Sequence, residues 1–393
     1  MKYDFDRIID RSGTDAIKYD IKGHGMTEGV IPLWVADMEF RAPECVVQAM
    51  KERCDHGIFG YTGVSKGYKK ALLNWTERRF GWSFEDDWLI CTPGVVNAIS
   101  TAIRALSQRG DAILIQEPVY YPFRKTIELN DRKLCVNQMK YDGRSYIIDF
   151  DDFEDKIKNE SVKIFILCSP HNPVGRVWSE AELMRMGEIC FKYGVIIIAD
   201  EIHADFVFTP AKHLMFPGLD SRFEDITVLC TAPSKTFNLA ALQTSNIFIP
   251  NEKLRESFTS EMSRCGCEEA NGLGLTAVRA AYEGGEEWLE ELLVYLKGNL
   301  ELVERYLVDN LSSPRLVKPQ GTYLLWLDFG GLGLDEKGLD ELMIDKAGLW
   351  LSAGTTFGSG GSGFRRLNMA CPRSTLHTAL DRLASAVKSL DRH

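Results

Sequence analysis

Lys235 stands just after an apolar run, Thr227-Val-Leu-Cys230, in the stretch Thr231-Ala-Pro-Ser234-Lys235. A lysine in such a place can add to a carbonyl as a Schiff base once its surroundings lower its pKa. Three other apolar runs also end in reactive or polar groups. Residues 163–168 (KIFILC) lead into Ser169-Pro-His171-Asn172-Pro-Val-Gly175. Residues 195–199 (VIIIA) lead into Asp200-Glu201-Ile202-His203, and 89–91 (LIC) into Thr92-Pro-Gly94-Val95-Val96. A buried carboxylate such as Asp200 can hold a proton on a ring nitrogen. The helix start at Gly94, Val95 and Val96 offers free N–H groups and a positive dipole end, which suit a phosphate. An aromatic nearby can stack on a flat ring.

The runs themselves say how these groups meet. Ser65 can cap a helix that ends at Gly81, and a second helix starts near Gly94 and stops before Gly110. Residues 112–115 are strand-like. Ser179-Glu-Ala-Glu182 has the capping-box pattern and opens a helix that stops at Gly194. Residues 246–249 (NIFI) add another run. Continuously apolar strands separated by helices predict an α/β fold with a mostly parallel sheet flanked by helices. In an open sheet of this kind ligands bind beyond the carboxyl ends of the strands. An amine, a carboxylate, an amide and a helix start should therefore share one cleft. Together they are the parts that bind pyridoxal 5′-phosphate (PLP) and make it an electron sink.

The C-terminal third has a different rhythm. One long amphipathic helix covers 286–311 and is followed by a strand-like run at 323–329. A helix near 339–346, a strand at 364–369 and a terminal helix from about Ser374 complete it. We expect a large domain over 48–286 and a smaller α+β domain built from both chain ends, 1–47 and 287–393. Arg365 and Arg366 are adjacent in the 364–369 strand. Side chains alternate across a strand, so only one of the two can face the cleft.

Three segments, Asn172-Pro-Val-Gly175, Asp200-Glu-Ile-His203 and Ser234-Lys235-Thr-Phe-Asn238, resemble fold-type I PLP enzymes of the class I/II aminotransferase superfamily. Phe5-Asp6, Ile9-Asp10-Arg11, Gly13-Thr14, Pro32-Leu-Trp-Val-Ala36-Asp37-Met38 and Gln243 narrow the resemblance to the MalY/PatB branch of cystathionine β-lyases, or C–S lyases. It covers nearly the whole chain. The resemblance implies that Lys235 binds the cofactor aldehyde and later moves the substrate α-proton. It implies that Asp200 pairs with the pyridinium nitrogen and that Asn172, with His203, hydrogen-bonds the ring's phenolic oxygen. Tyr120 would stack on the ring and Tyr121 would stand beside the substrate as a second catalytic candidate. The amides of Gly94, Val95 and Val96, with Ser234, would hold the phosphate, and Tyr61 would reach the phosphate of a neighbouring subunit in a homodimer with shared active sites. Arg366 would clamp the substrate α-carboxylate as a two-pronged donor, and Ala36 would line the substrate site. Gln243 stands where many aminotransferases carry a phosphate-binding arginine. The phosphate should therefore depend more on dipoles, hydroxyls and Tyr61.

Several function classes fall away. Acidic residues outnumber basic ones 56 to 46, so a nucleic-acid surface is disfavoured. An anionic small molecule is not, because its site needs only local positive potential. The ten cysteines form no C-x-x-C pair and are expected to be mostly buried small side chains in a reducing cytoplasm, with no metal site. The charged start and the absence of a long apolar run argue against a signal peptide or a membrane span. Gly358-Ser-Gly-Gly-Ser-Gly363 matches G-x-G-x-x-G but precedes a strand, so it is read as a flexible loop leading to Arg366 and not as a dinucleotide fingerprint. His171 and His213 are read as ordinary surface or loop histidines. The expected reaction is β-elimination from L-cystathionine or a related cysteine S-conjugate, giving a thiol, pyruvate and ammonia. A PLP-dependent aminotransferase is the alternative. A PLP-binding regulatory protein is a more distant one, because residues 1–40 show no helix-turn-helix.

Overall fold

The computed structural model of the 393-residue chain describes residues 2–19 and 29–390. Its larger sheet has seven strands, in the order Leu89–Thr92, Ser245–Phe248, Thr227–Thr231, Ile196–Asp200, Ile164–Cys168, Ala112–Glu117 and Lys133–Gln138. Only Ser245–Phe248 runs against the others. The apolar runs are continuous because both faces of the sheet are covered. Ile113, Ile115, Ile166, Ile198 and Val228 pack on one side with Ala98, Ile99 and Ala102 of the Val95–Leu106 helix. Leu114, Phe165, Leu167, Ile197 and Leu229 pack on the other with Trp178, Leu183 and Met186. The edge strand Lys133–Gln138 (KLCVNQ) mixes polar and apolar residues, and so no continuous apolar run marks it in the sequence.

The expected helix boundaries have visible causes. Ser65 accepts the Tyr68 amide, and Gly81 closes that helix in the left-handed region. The Ser179–Glu182 capping box forms with both of its hydrogen bonds, and Gly194 ends the helix at φ 67°.

A smaller antiparallel sheet follows the long Glu286–Asn310 helix. Its order is Arg315–Val317, Leu324–Asp328, Phe364–Asn368 and Ser352–Ala353. The helix expected over 339–346 begins earlier, at Glu336, because Asp335 caps it through the Gly338 amide. It continues as a widened turn over Glu341–Lys346. Near the N-terminus, Ile31–Pro32 pairs in parallel with Leu349–Trp350, which ties the two chain ends together. Residues 20–28, within the expected N-terminal part of the small domain, lie outside the described residues.

Several expectations need correction. His171 and His213 are buried, not on the surface. His171 Nε2 lies 2.9 Å from the Pro118 carbonyl, and His213 Nε2 lies 2.6 Å from Glu201. Five cysteines are buried (Cys135, Cys168, Cys190, Cys230 and Cys371), but Cys54 and Cys265 are exposed. The glycine-rich 358–363 segment is no loose loop. The Ser359 amide donates to Glu117 at 3.3 Å, its hydroxyl to Gln138 at 2.9 Å, and the Gly363 amide to Glu336 at 2.7 Å. It leads into a strand, not a helix. No helix among the described residues is long and apolar enough to cross a membrane.

Candidate active site

The carboxyl ends of Leu89–Thr92, Ile164–Cys168, Ile196–Asp200 and Thr227–Thr231 open onto one cavity of about 240 Å³. Of the residues expected to work together, Ala36, Gly94, Val95, Val96, Tyr120, Asn172, Asp200, His203, Ser234 and Lys235 line it, along with Gln243. Asp200 ends its strand, where burial pushes its carboxyl up to about 7 against the pull of the Ile202 amide at 3.2 Å and of Lys235. The Lys235 amine is lowered to about 8, first by burial and then by the Arg366 charge, while Asp37 and Asp200 oppose the shift. It donates to the Ala36 carbonyl at 2.7 Å. A lysine pushed this far down keeps a larger share of free amine near neutrality, which is the nucleophilic form.

Anion-binding geometry lines the same cavity. Gly94 precedes the Val95–Leu106 helix at φ 98°, a conformation that favours glycine, and no side chain caps the helix. Its first amides are therefore available to a ligand, with the dipole behind them.

Arg366 and Arg365 part ways as alternation requires. Arg365 turns to Glu336 at 2.8 Å and Asp340 at 2.7 Å. Arg366 turns toward the cavity wall, where it donates to Asn172 Oδ1 at 3.0 Å, Trp34 O at 2.7 Å and Ser352 Oγ at 3.3 Å. Its guanidinium lies 4.8 Å over the Phe357 ring. Burial pushes it down to about 10, still cationic at neutral pH.

Three expected residues lie outside the cavity lining, and Arg366 reaches it only through Asn172. Tyr121 is half exposed with its ring 5.6 Å from that of Tyr120, outside the cavity lining. Tyr61 is 94% exposed and lines a separate surface groove of about 920 Å³ with Phe59 and Thr62. Other participants carry no sequence signal strong enough to single them out. Asn97 and Thr244 line the cavity, and Tyr323 donates to the Ala36 carbonyl at 2.9 Å. Asn97 is the third residue of the helix opened by Gly94, a position from which a side chain can reach a ligand at the helix start.

The donor set fits PLP. An amine, a carboxyl, an uncapped helix start and Tyr120 share the lining. His203 Nδ1 and Asn97 Oδ1 are buried without hydrogen-bond partners among the described residues. Buried polar atoms of this kind are costly unless a ligand completes them. Burial also keeps His203 well below its usual pKa, hence neutral.

The family model for aminotransferase class I and II matches residues 28–383. The chain belongs to that family. Over 98% of its length it is 43% identical to cystathionine β-lyase PatB of Bacillus subtilis, covering 99% of that protein. The structure of cystalysin from Treponema denticola, which contains PLP, superposes with a TM-score of 0.96 at 37% identity, covering 99% of this chain and 100% of that one. A PLP-bound C–S lyase from Staphylococcus hominis superposes with a TM-score of 0.92 at 33% identity, covering 98% of each. The fold shared with these structures accounts for the large mixed sheet flanked by helices.

Proposed function

We propose that this chain is a PLP-dependent carbon–sulfur β-lyase that cleaves L-cystathionine or a related cysteine S-conjugate to a thiol, pyruvate and ammonia. One observation carries the reading. A buried amine with a lowered pKa shares a single cavity with a buried carboxyl and an uncapped helix start, and behind its lining a cationic arginine, Arg366, donates to Asn172. Relatives named cystathionine β-lyase and C–S lyase support the choice of reaction within the family.

Bound PLP supplies the electron sink for the charge left when the substrate α-proton departs. The chain's own groups do the rest. Lys235 holds the cofactor and, once displaced by the substrate amine, accepts the α-proton on Nζ. Asp200 would keep the ring nitrogen protonated. Asn172 and His203 would hydrogen-bond the ring's phenolic oxygen, and Tyr120 would stack on the ring. The amides of Gly94, Val95 and Val96 and the Ser234 hydroxyl would hold the phosphate. Arg366 orients the substrate carboxylate beside Ala36. The Cβ–S bond then breaks, and the proton from Lys235 Nζ or from the Tyr121 hydroxyl goes to the leaving thiolate. Water converts the remaining three-carbon enamine to pyruvate and ammonia.

The same reading makes the protein a cytoplasmic homodimer in which Tyr61 of one copy reaches the phosphate of the other; its exposure in the single chain favours this. It also divides the chain into a large domain over 48–286 and a small one from 1–47 and 287–393, a division supported by the pairing of Ile31–Pro32 with Leu349–Trp350.

The purified protein with L-cystathionine should release free thiol and pyruvate together, and Lys235→Ala should lose both turnover and the cofactor's absorbance band. No thiol from cystathionine, S-methylcysteine or cysteine would sink the lyase reading. The family name itself favours the second reading, an aminotransferase, which would instead need a keto acid and release no thiol.

A further inference from the structure

Segment 33–40 (LWVADMEF) runs past the site, and side chains from both sheets take up its backbone carbonyls one after another. Arg366 donates to Trp34 O at 2.7 Å, and Lys235 and Tyr323 donate to Ala36 O at 2.7 and 2.9 Å. Asn368 donates to Val35 O at 2.7 Å and Asp37 O at 2.6 Å. Asn238, three residues past the lysine, donates to Met38 O at 2.9 Å and Phe40 O at 3.0 Å. Lys235 and Arg366 thus lean on carbonyls two residues apart, and this short stretch of backbone spaces the two groups that must meet one substrate.

The segment is held in turn by charge. The Lys18 side chain is fully buried, 2.5 Å from Glu39 and 3.3 Å from Asp37. Arg11 lies 2.7 Å from Asp37 and 3.1 Å from Glu39, and the Tyr19 hydroxyl donates to Glu39 at 2.9 Å. A fully buried lysine is rare and is tolerated only when paired. Here two cations meet two carboxylates.

We propose that Lys18 and Arg11 are positioning residues, whose pairing with Asp37 and Glu39 locks segment 34–40 and keeps the Ala36 carbonyl aimed at the Lys235 amine. The inference rests on the proposed function only in taking Lys235 as the cofactor lysine. The groups that face Lys235 are Asp37 and Asp200, which favour its charged form, Arg366, which opposes it, and His203 and Tyr323 beside it. Those that face Lys18 are Asp37, Glu39, Arg11, Tyr19 and Cys371. Lys18 therefore offsets the Asp37 charge that Lys235 feels. Removing either partner should move the lysine's proton equilibrium, in opposite directions.

The test is an absorbance-detected pH titration of the PLP-loaded protein, which reads the proton on the Lys235 nitrogen. Lys18→Met should raise the midpoint by about half a pH unit, and Asp37→Asn should lower it by about as much. Lys18→Arg should leave it unmoved. Unchanged midpoints with only a lower melting temperature, or shifts of the same sign in both variants, would overturn the proposal. If Lys18→Met does not fold, Arg11→Met, which removes the other cation paired with Asp37 and Glu39, should raise the midpoint in its place, and an unmoved midpoint there would overturn the proposal. Wild-type protein without a Lys235-dependent absorbance band would instead refute the lyase reading, an outcome distinct from a band whose midpoint does not move.

Discussion

Asp200 ends a strand and Asp205 lies in the turn that follows it; both are buried, and burial raises both carboxyls. Their partners differ. Asp205 accepts the Thr236 hydroxyl at 2.7 Å and pairs with Arg79 at 2.8 Å, while Arg79 also reaches Glu290 at 2.6 Å. Asp200 accepts a backbone amide at 3.2 Å and lines the cavity. Arg365 and Arg366 repeat the contrast. Arg365 is neutralised by two carboxylates, whereas Arg366 is held by an amide oxygen, a carbonyl and a hydroxyl, with no carboxylate partner among the described residues. The difference teaches how one chain separates two uses of buried charge. Groups that hold the fold together are paired with opposite charge. Groups for chemistry are positioned by neutral partners, which leaves their charge for a ligand.

The sharpest way to break this contrast is to remove each acid. Asp200→Ala should cut kcat/KM about a thousandfold with the fold kept. Asp205→Ala should cost about 3 kcal/mol of stability because the Arg79 guanidinium loses its buried partner and keeps only the exposed Glu290, with kcat of the folded fraction largely retained. Chemical denaturation beside steady-state kinetics reads both, and a reversed pattern would undo the division. The arginines come next. Arg366→Ala should raise KM roughly a hundredfold, while Arg365→Ala should leave KM alone and cost about 1 kcal/mol, since its partners Glu336 and Asp340 can reach water.

pH gives a smaller effect. With the cofactor removed, Asp200 binds its proton more tightly in the folded chain than in the unfolded one. Its contribution should therefore favour folding at low pH and be lost as pH rises from about 4 to about 7, by roughly 4 kcal/mol. Lys235 acts with the opposite sign: its lowered pKa costs stability below about 8, and that cost fades toward the unfolded value near 10.5. Denaturant midpoints measured from pH 4 to 10 on the cofactor-free chain, Asp200→Asn and Lys235→Met should show each limb vanish in its own variant. The smallest effect concerns the phosphate. Gln243→Arg should slow PLP release up to about tenfold by adding a charge-assisted contact. Unchanged retention during dialysis would mean that dipoles and hydroxyls already suffice.

Much of this site was legible because each catalytic candidate follows a recognisable run. KIFILC, VIIIA and TVLC can only be buried strands, and the residue after a parallel strand sits at its carboxyl end. Ser65, Ser179, Gly81 and Gly194 marked helix ends because their caps are local. The supporting parts were not legible. Ala36, Trp34 and Val35 act through carbonyls that every residue type carries, and Lys18 meets Asp37 and Glu39 far along the chain, where no spacing rule predicts it. His171 looked like a loop histidine, yet it is buried against Trp178 and lowered to about 4.

The sequence by itself determined which groups stand at the strand ends, since apolar runs and caps are properties of neighbouring residues. Only the tertiary structure decided which of those groups are left open. An acid, an amine or a guanidinium takes its reactivity from burial and from charges distant in the chain, and those exist only once the two sheets and the 33–40 segment have come together.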